Sequence, residues 1–166
     1  MKDEQVRVLK TFNEATSRMD LNAFAEKVNL TANQTIHQIQ ELAKEGFLQR
    51  VGAGYSITQK GKTALKAFAS VAKEQDFHFY FGLDQPSEFK ADSLEQFYCA
   101  IKQIGVGSLE FHLYRGDFQN WLRDVFKEPD VTDEFERVKA SELKGEDLRA
   151  EILKILNEKY GIEELL

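Results

Sequence analysis

Two short stretches in the second half of the chain alternate apolar residues with histidine, tyrosine and glutamate. They read FHFYFGL from position 77 and SLEFHLY from position 108. Strict alternation predicts β-strands with one buried face. If the two strands are neighbours in one sheet, the face opposite the phenylalanines carries the groups able to do chemistry. These are His78, Tyr80, Glu110, His112 and Tyr114, with Arg115 at the end of the second strand.

Two histidines and a carboxylate on one sheet face could hold a metal ion. The His-x-Tyr alternation does not have the spacing of known metal motifs, so we predict no metal and no cofactor. Instead we expect a satisfied polar layer in which Arg115 pairs with a carboxylate and Asp117 caps the next helix. A ligand or effector site on the same residues is the alternative. A metal- or ligand-dependent enzyme centred on His78 and His112 is a further, less favoured interpretation.

The sequence lacks the common catalytic motifs. It has no phosphate-binding glycine loop, no nucleophile elbow and no HExxH. Cys99 is the only cysteine, and no cationic group flanks it, so we expect an inert buried thiol. We therefore predict that the chain is not an enzyme.

Helices must surround these strands. Ser93 opens SLEQFYCAIKQI as a capping box with Gln96, and Asp117 precedes FQNWLRDVF, which has strong helical periodicity. A turn around Pro86 leads into EFKA, a second short strand, and Gly161 ends a last helix. Residues 74–166 are thus predicted to form a small α+β domain with a short sheet and several helices.

The charge of the chain is divided unevenly. Residues 1–73 carry 11 Lys+Arg against 7 Asp+Glu, whereas residues 74–166 carry 11 against 21, so the net charge of -6 hides a basic first half. Such asymmetry suggests that only the first half meets a polyanion. No apolar run approaches the roughly 18 residues needed to span a bilayer, and the N-terminus lacks a signal peptide's apolar core, so we expect a cytoplasmic protein.

The first half contains a regular series of helices. EQVRVLKTFNEA has a helical apolar stripe, Asp20 caps LNAFAEKV, and Thr31 caps TANQTIHQIQELAKEG, which ends at Gly46. FLQRV and YSIT, joined by GAG, predict a β-hairpin, and Thr58 caps a fourth helix over 59–75. Three helices, a hairpin and a helix in this order predict a helix-turn-helix with a β-wing.

The third helix of this series has two different faces. Ile36, Ile39 and Leu42 are expected to pack inward, while the opposite face is rich in Asn, Gln and His. Asn and Gln donate and accept hydrogen bonds together, as the major-groove edge of adenine requires. The predicted DNA-contacting residues are Thr31, Asn33, Gln34, His37, Gln38, Glu41, Lys44, Arg50, Tyr55, Lys60 and Lys62.

The segment LTANQTIHQIQELAKEGFLQRVGAGYSITQKGKTAL resembles the winged helix-turn-helix domains of archaeal and bacterial transcriptional regulators, over residues 4–73. The resemblance implies a recognition surface on the third helix, a wing at 50–55 and phosphate contacts by Lys60 and Lys62. It implies a regulator that binds double-stranded DNA. Because winged helices also bind proteins, a non-enzymatic protein-interaction module is the alternative.

The predicted DNA-binding surface contains few cations. The wing tip Gly52-Ala53-Gly54 has none, and Glu41 accompanies Lys44 on the third helix. A monomer should bind weakly, because phosphate neutralisation supplies most non-specific affinity. We therefore predict a homodimer, formed through the first helix or the 59–75 helix.

The motif E-F-H-x-Y-R-G-D-F-x-x-W-L-R-D-V, matched from Glu110 to Val125, resembles a domain of unknown function found in archaeal and bacterial proteins. The similarity extends over residues 76–160. It implies a domain but no chemistry, so we expect this acidic half to bind a protein partner or an effector.

Overall fold

The first elements of the chain are three helices, a hairpin and a fourth helix. In the computed structural model, which describes residues 1–166, these are α1 (Asp3–Glu14), α2 (Leu21–Val28), α3 (Ala32–Lys44), β1 (Leu48–Val51), β2 (Gly54–Ile57) and α4 (Gln59–Phe68). Their order agrees with the order predicted from the sequence. β1 and β2 pair antiparallel, with Leu48 opposite Ile57 and Val51 opposite Gly54.

Local hydrogen bonds fix where these helices begin. Asp20 Oδ1 accepts from the N–H of Ala23 at 3.0 Å, and Thr31 Oγ1 accepts from the N–H of Gln34 at 3.2 Å. Thr58 Oγ1 accepts from the N–H of Gly61 at 3.1 Å and donates to the carbonyl of Gly46 at 2.7 Å. All three predicted caps are confirmed, because an N-cap needs only a nearby side-chain oxygen.

The fourth helix is shorter than predicted. It ends at Phe68 instead of continuing to 75, and only a single 3₁₀ turn, Lys73–Gln75, follows. Ala69 and Ser70 are exposed, and the N–H of Val71 donates to the carbonyl of Asp92 at 2.8 Å. The predicted apolar stripe lacks a surface to cover beyond Phe68, so helical packing cannot hold this segment.

The second part of the chain forms one hairpin and six helices. These are β3 (Phe77–Gly82), β4 (Gln85–Ala91), α5 (Leu94–Gln103), α6 (Val106–Arg115), α7 (Asp117–Asp124), α8 (Pro129–Ala140), α9 (Gly145–Tyr160) and α10 (Ile162–Leu165). The molecule is thus α+β, with ten α-helices and two separate two-stranded antiparallel sheets. It divides into two compact units, residues 1–68 with 165–166, and residues 69–164.

The predicted strand over 108–114 is wrong, because these residues form helix α6. The buried residues of α6 are Ser108, Leu109, His112 and Leu113, which repeat at the helical spacing of four. Gly116, at φ 82°, ends the helix in the left-handed conformation that glycine adopts at little cost. Seven alternating residues are too few to distinguish a strand from a helix whose stripe includes one buried histidine.

Of the other element boundaries predicted for this unit, some are confirmed and some are wrong. Ser93 caps α5, β4 contains the predicted EFKA strand, and Gly161 ends α9 in the left-handed conformation. Asp117 does not cap α7, since Gly116 holds that position and Asp117 is the first helical residue. The turn of the β3–β4 hairpin lies at Leu83–Asp84, so Pro86 is already in β4.

Aromatic residues form the core of the second unit. Phe77 contacts Phe79, Phe97 and Trp121 with ring centroids 4.8, 5.7 and 5.5 Å apart. The Trp121 N–H donates to the carbonyl of Gln75 at 2.7 Å, so the indole is satisfied in the core as expected. No helix of either unit has the length and hydrophobicity required to cross a membrane.

Candidate functional sites

Helix α3 exposes a polar surface, but it is rotated from the predicted one. Its buried residues are Thr35, Gln38 and Leu42, whereas Ile36 is 38% exposed. Gln38, predicted on the DNA-contacting face, is only 8% exposed, and its Nε2 donates to Glu4 Oε1 at 3.0 Å. An amide can replace an aliphatic side chain in the core when a partner satisfies it. That partner is 34 residues away in the sequence, so no local pattern could reveal it.

The exposed polar residues of α3 up to its last turn are Asn33, Gln34, His37, Gln40 and Lys44. Two of the predicted DNA-contacting residues also stabilise the N-terminal end of α3. Thr31 and Gln34 form the capping box, in which Gln34 Oε1 accepts from the N–H of Thr31 at 2.9 Å. Gln34 retains its Nε2 donors for another partner, while Glu41 is half-buried.

The predicted cations and wing residues lie around the hairpin. Arg50 and Lys62 are exposed, and Tyr55, opposite Arg50 in the hairpin, is half-buried. Lys60 Nζ donates to the carbonyl of Glu45 at 2.9 Å and lies 4.6 Å from the centre of the Phe47 ring. Lys60 therefore fastens α4 to the C-terminal end of α3, which no motif in the sequence signalled.

The second group of predicted residues is organised around His112. His112 is 3% exposed, and its Nε2 accepts from the backbone N–H of Tyr80 at 2.8 Å. Because Nε2 is an acceptor, Nδ1 must carry the proton and donate it to Asp117 Oδ2, also at 2.8 Å. The tautomer of a neutral imidazole is thereby fixed. Burial lowers the pKa of His112 below its ordinary value, although Asp117 opposes this effect.

Ser108 completes the contact between α6 and β3. Its hydroxyl donates to the carbonyl of Tyr80 at 2.6 Å. The pairing register of β3 and β4 shifts on both sides of Tyr80, and its partner on β4 is Pro86, which has no N–H to donate. Ser108 and His112, one helical turn apart, therefore satisfy both backbone groups of Tyr80. Sequence reasoning missed Ser108 because the segment was predicted to be a strand.

A cavity of about 400 Å³ opens beside this contact. It brings together four of the six predicted residues, His78, Tyr80, His112 and Arg115. Of its remaining lining residues only Asp117 was expected near this face; these residues are Phe77, Gly82, Leu83, Asp84, Phe111 and Asp117. Arg115 Nε lies 3.3 Å from Asp117 Oδ2, so the expected pairing of Arg115 with a carboxylate is confirmed.

The two remaining predicted residues point to another part of the unit. Glu110 Oε1 accepts from the N–H of Gly145 at 2.9 Å, and the Tyr114 hydroxyl donates to the carbonyl of Leu143 at 2.6 Å. Both bonds attach α6 to the segment that leads into α9. No group of three His, Cys, Asp or Glu side chains in the structure is arranged to hold a metal ion.

Three side chains that were expected to be buried are not fully buried, and one of them, Cys99, is half-buried. Burial raises the pKa of the Cys99 thiol to about 11, with Glu95 acting in the same direction, so the thiolate is scarce at neutral pH. Phe81 and Leu83, which were expected on the buried face of the strand, are exposed. Phe81 lies where the pairing register of β3 and β4 shifts, and Leu83 lies in the hairpin turn.

Comparison with known proteins gives one family. Residues 15–157 match the family described as "Family of unknown function (DUF5752)". The matched segment includes residues of both units and most of the 166-residue chain, which therefore belongs to this family. No curated protein and no solved structure matches the chain.

Proposed function

We propose that this member of DUF5752 is a non-enzymatic, sequence-specific DNA-binding protein that regulates transcription, with α3 as recognition helix and the β1–β2 hairpin as wing. The observation that carries the proposal is the exposed face of α3. From Asn33 to Gln40 its exposed polar side chains are amides and one imidazole, and this stretch has no acidic residue. Such groups match the donor and acceptor pattern of base edges in the major groove.

The charge of the first unit supports the same function. Residues 1–68 carry 10 Lys+Arg against 7 Asp+Glu, whereas residues 69–164 carry 12 against 21. The exposed Lys44, Arg50 and Lys62 can neutralise phosphates. The acidic second unit is unsuited to a second nucleic-acid surface and is proposed to bind a protein partner or an effector. A cytoplasmic location follows from this function.

Few cations lie near the exposed polar face of α3, so we expect one copy of the chain to bind DNA weakly. A homodimer would double the phosphate contacts and read two half-sites. The exposed apolar Ile36 beside His37 is suited to contact a thymine methyl group. We propose that dimers form through α1 or α4.

The experiment is a titration of full-length protein into labelled mixed-sequence duplex at salt concentrations from about 50 to about 200 mM. We expect log affinity to fall linearly with log salt. Lys44→Ala should weaken binding and reduce the slope by about 1 for each Lys44 that contacts a phosphate. Lys154→Ala, which removes an exposed lysine from the second unit, is the matched control and should change neither the affinity nor the slope. If the protein does not bind the duplex even at the lowest salt concentration, or if its affinity does not fall as salt increases, the proposal is wrong.

A protein-binding role for the first unit is the second candidate. It is favoured by the exposure of three large apolar side chains, Leu21, Ile36 and Val51. Under this alternative Ile36→Ser would abolish partner binding while Lys44→Ala would have little effect, and duplex DNA would not bind at any salt concentration.

A further inference from the structure

The cavity beside α6 has the composition of a small-molecule site. Its volume is about 400 Å³, within the roughly 300–1,000 Å³ usual for ligand pockets. Apolar side chains on its wall include Phe111 and Leu83, and the latter is 71% exposed. Charged side chains of both signs accompany them, which restricts the kind of molecule that could bind.

Arg115 is positioned to receive an anionic group. Its guanidinium lies 4.7 Å from the centre of the Phe111 ring, and its Nε lies 3.3 Å from Asp117 Oδ2. These two contacts restrict the plane of a side chain that remains half-exposed. Its terminal Nη groups form no hydrogen bond to a protein acceptor, so they can offer two parallel N–H donors, the arrangement that binds a carboxylate bidentately.

A simple anion, however, would meet an excess of negative charge. The lining contains one guanidinium and the two carboxylates of Asp84 and Asp117. His112 cannot add positive charge, because its Nε2 accepts from the N–H of Tyr80 and protonation there would break that bond. Asp84 is exposed on the β3–β4 turn and has no ion-pair partner. A molecule that carries a cationic group beside its anionic group would match the side chains of both signs in this lining.

We propose that this cavity binds a small zwitterion of the free α-amino acid class, with its carboxylate on Arg115 and its ammonium group between Asp84 and Asp117. The side chain of the ligand covers Leu83 and the exposed part of Phe111. His112 is a positioning residue, since its two ring nitrogens are already bonded to the Tyr80 N–H and to Asp117 and offer no further group to a ligand. Ligand binding at this cavity does not depend on whether α3 binds DNA.

The test is calorimetric titration of the full-length protein with the common amino acids. Each amino acid that binds is followed by two analogues that keep its side chain, the amine without the carboxylate and the acid without the ammonium group. We expect at least one amino acid to bind and both of its analogues to bind about tenfold or more weakly, because each lacks one charged contact.

Substitutions of Arg115 and Asp84 test which side chain binds each charged group of the ligand. Arg115→Ala should weaken binding about tenfold or more, and Arg115→Lys should restore it only partly, because a lysine cannot bind a carboxylate bidentately. Asp84→Asn removes the unpaired carboxylate from an exposed turn and should weaken binding without changing the melting temperature. Arg123→Ala, on an exposed part of α7 outside the cavity, is the matched control and should bind like the parent.

The proposal is overturned if no amino acid binds at millimolar concentration, or if the acid without an ammonium group binds as tightly as the amino acid. It is also overturned if Asp84→Asn and Arg115→Ala both retain the parent affinity. Circular dichroism of each variant separates loss of binding from loss of folding.

Discussion

The buried imidazole of His112 accepts a hydrogen bond from the backbone N–H of Tyr80 at 2.8 Å. With Ser108 on the same helix face, it satisfies the backbone of a strand residue whose ladder partner is a proline. This contact attaches β3 to α6 and, through Asp117, sets the position of Arg115 at the cavity. A site that sequence reasoning attributed to two paired strands is therefore built between one strand and one helix.

Replacing His112 with alanine should destabilise the protein by about 2–4 kcal/mol. The change leaves a cavity among Phe77, Phe79 and Phe118, and it deprives the Tyr80 N–H of its acceptor. His78→Ala is the control, because His78 is exposed and its loss should cost less than about 0.5 kcal/mol. Urea unfolding monitored by Trp121 fluorescence measures both. Equal effects of the two substitutions would show that the His112 contact contributes little.

The lowered pKa of His112 predicts a dependence of stability on pH. The folded protein keeps His112 neutral, whereas the unfolded chain binds a proton near pH 6.5. The unfolded state therefore holds more protons below this pH, so the free energy of unfolding should fall as pH decreases from about 6.5 towards the folded pKa. Unfolding measured at closely spaced pH values should show a slope that His112→Gln reduces. An unchanged slope in this variant would assign the effect to other groups.

Gly61 is required where α4 meets the hairpin. A Cβ atom there would lie 2.4 Å from the carbonyl oxygen of Phe47 and 2.7 Å from Cγ1 of Ile57. Because a backbone oxygen cannot move without disturbing the Thr58 cap, Gly61→Ala should destabilise the first unit by about 1–3 kcal/mol. Gly54→Ala, in the adjoining β1–β2 hairpin, is the control, since a Cβ at this position would meet nothing within 4 Å. Thermal unfolding of both variants provides the comparison, and equal melting temperatures would contradict the prediction.

Neighbouring residues of α3 should separate structural from DNA-contacting roles. Gln38→Ala removes a buried amide and leaves Glu4 without its partner, so it should cost about 1–2 kcal/mol of stability. His37→Ala removes an exposed side chain and should leave stability within about 0.5 kcal/mol of the parent while weakening DNA binding. Melting temperatures and duplex affinities of the two variants are compared below the melting transition. A stable His37→Ala protein with parental DNA affinity would exclude this residue from the interface.

Elements whose signals are local could be predicted from the sequence. Asp20, Thr31, Thr58 and Ser93 each cap a helix through a hydrogen bond within three residues, so their roles are encoded next to the helix they begin. The order of elements in the first unit follows from these caps and from the glycines of the hairpin.

Features that depend on distant residues could not be predicted. Gln38 is buried because Glu4 satisfies it, and Ile36 is exposed as a consequence of the same rotation of α3. The alternation of 108–114 fits a strand and a helix alike, and only packing against β3 decides between them. His78, His112 and Arg115, which were expected at one face of a sheet, instead line one cavity, because α6 lies against β3, where the second strand was expected.

Recognition of DNA sequence by α3 can be tested by selecting binding sites from a random pool of duplexes with the full-length protein at low salt. We expect enrichment of a two-fold symmetric site containing A·T pairs, with half-sites about 10 base pairs apart. Asn33→Ala should lose discrimination at one position of each half-site, by about 1–3 kcal/mol. Recovery of no common sequence by the parent protein, or of the same sequence with equal selectivity by Asn33→Ala, would contradict sequence recognition by α3.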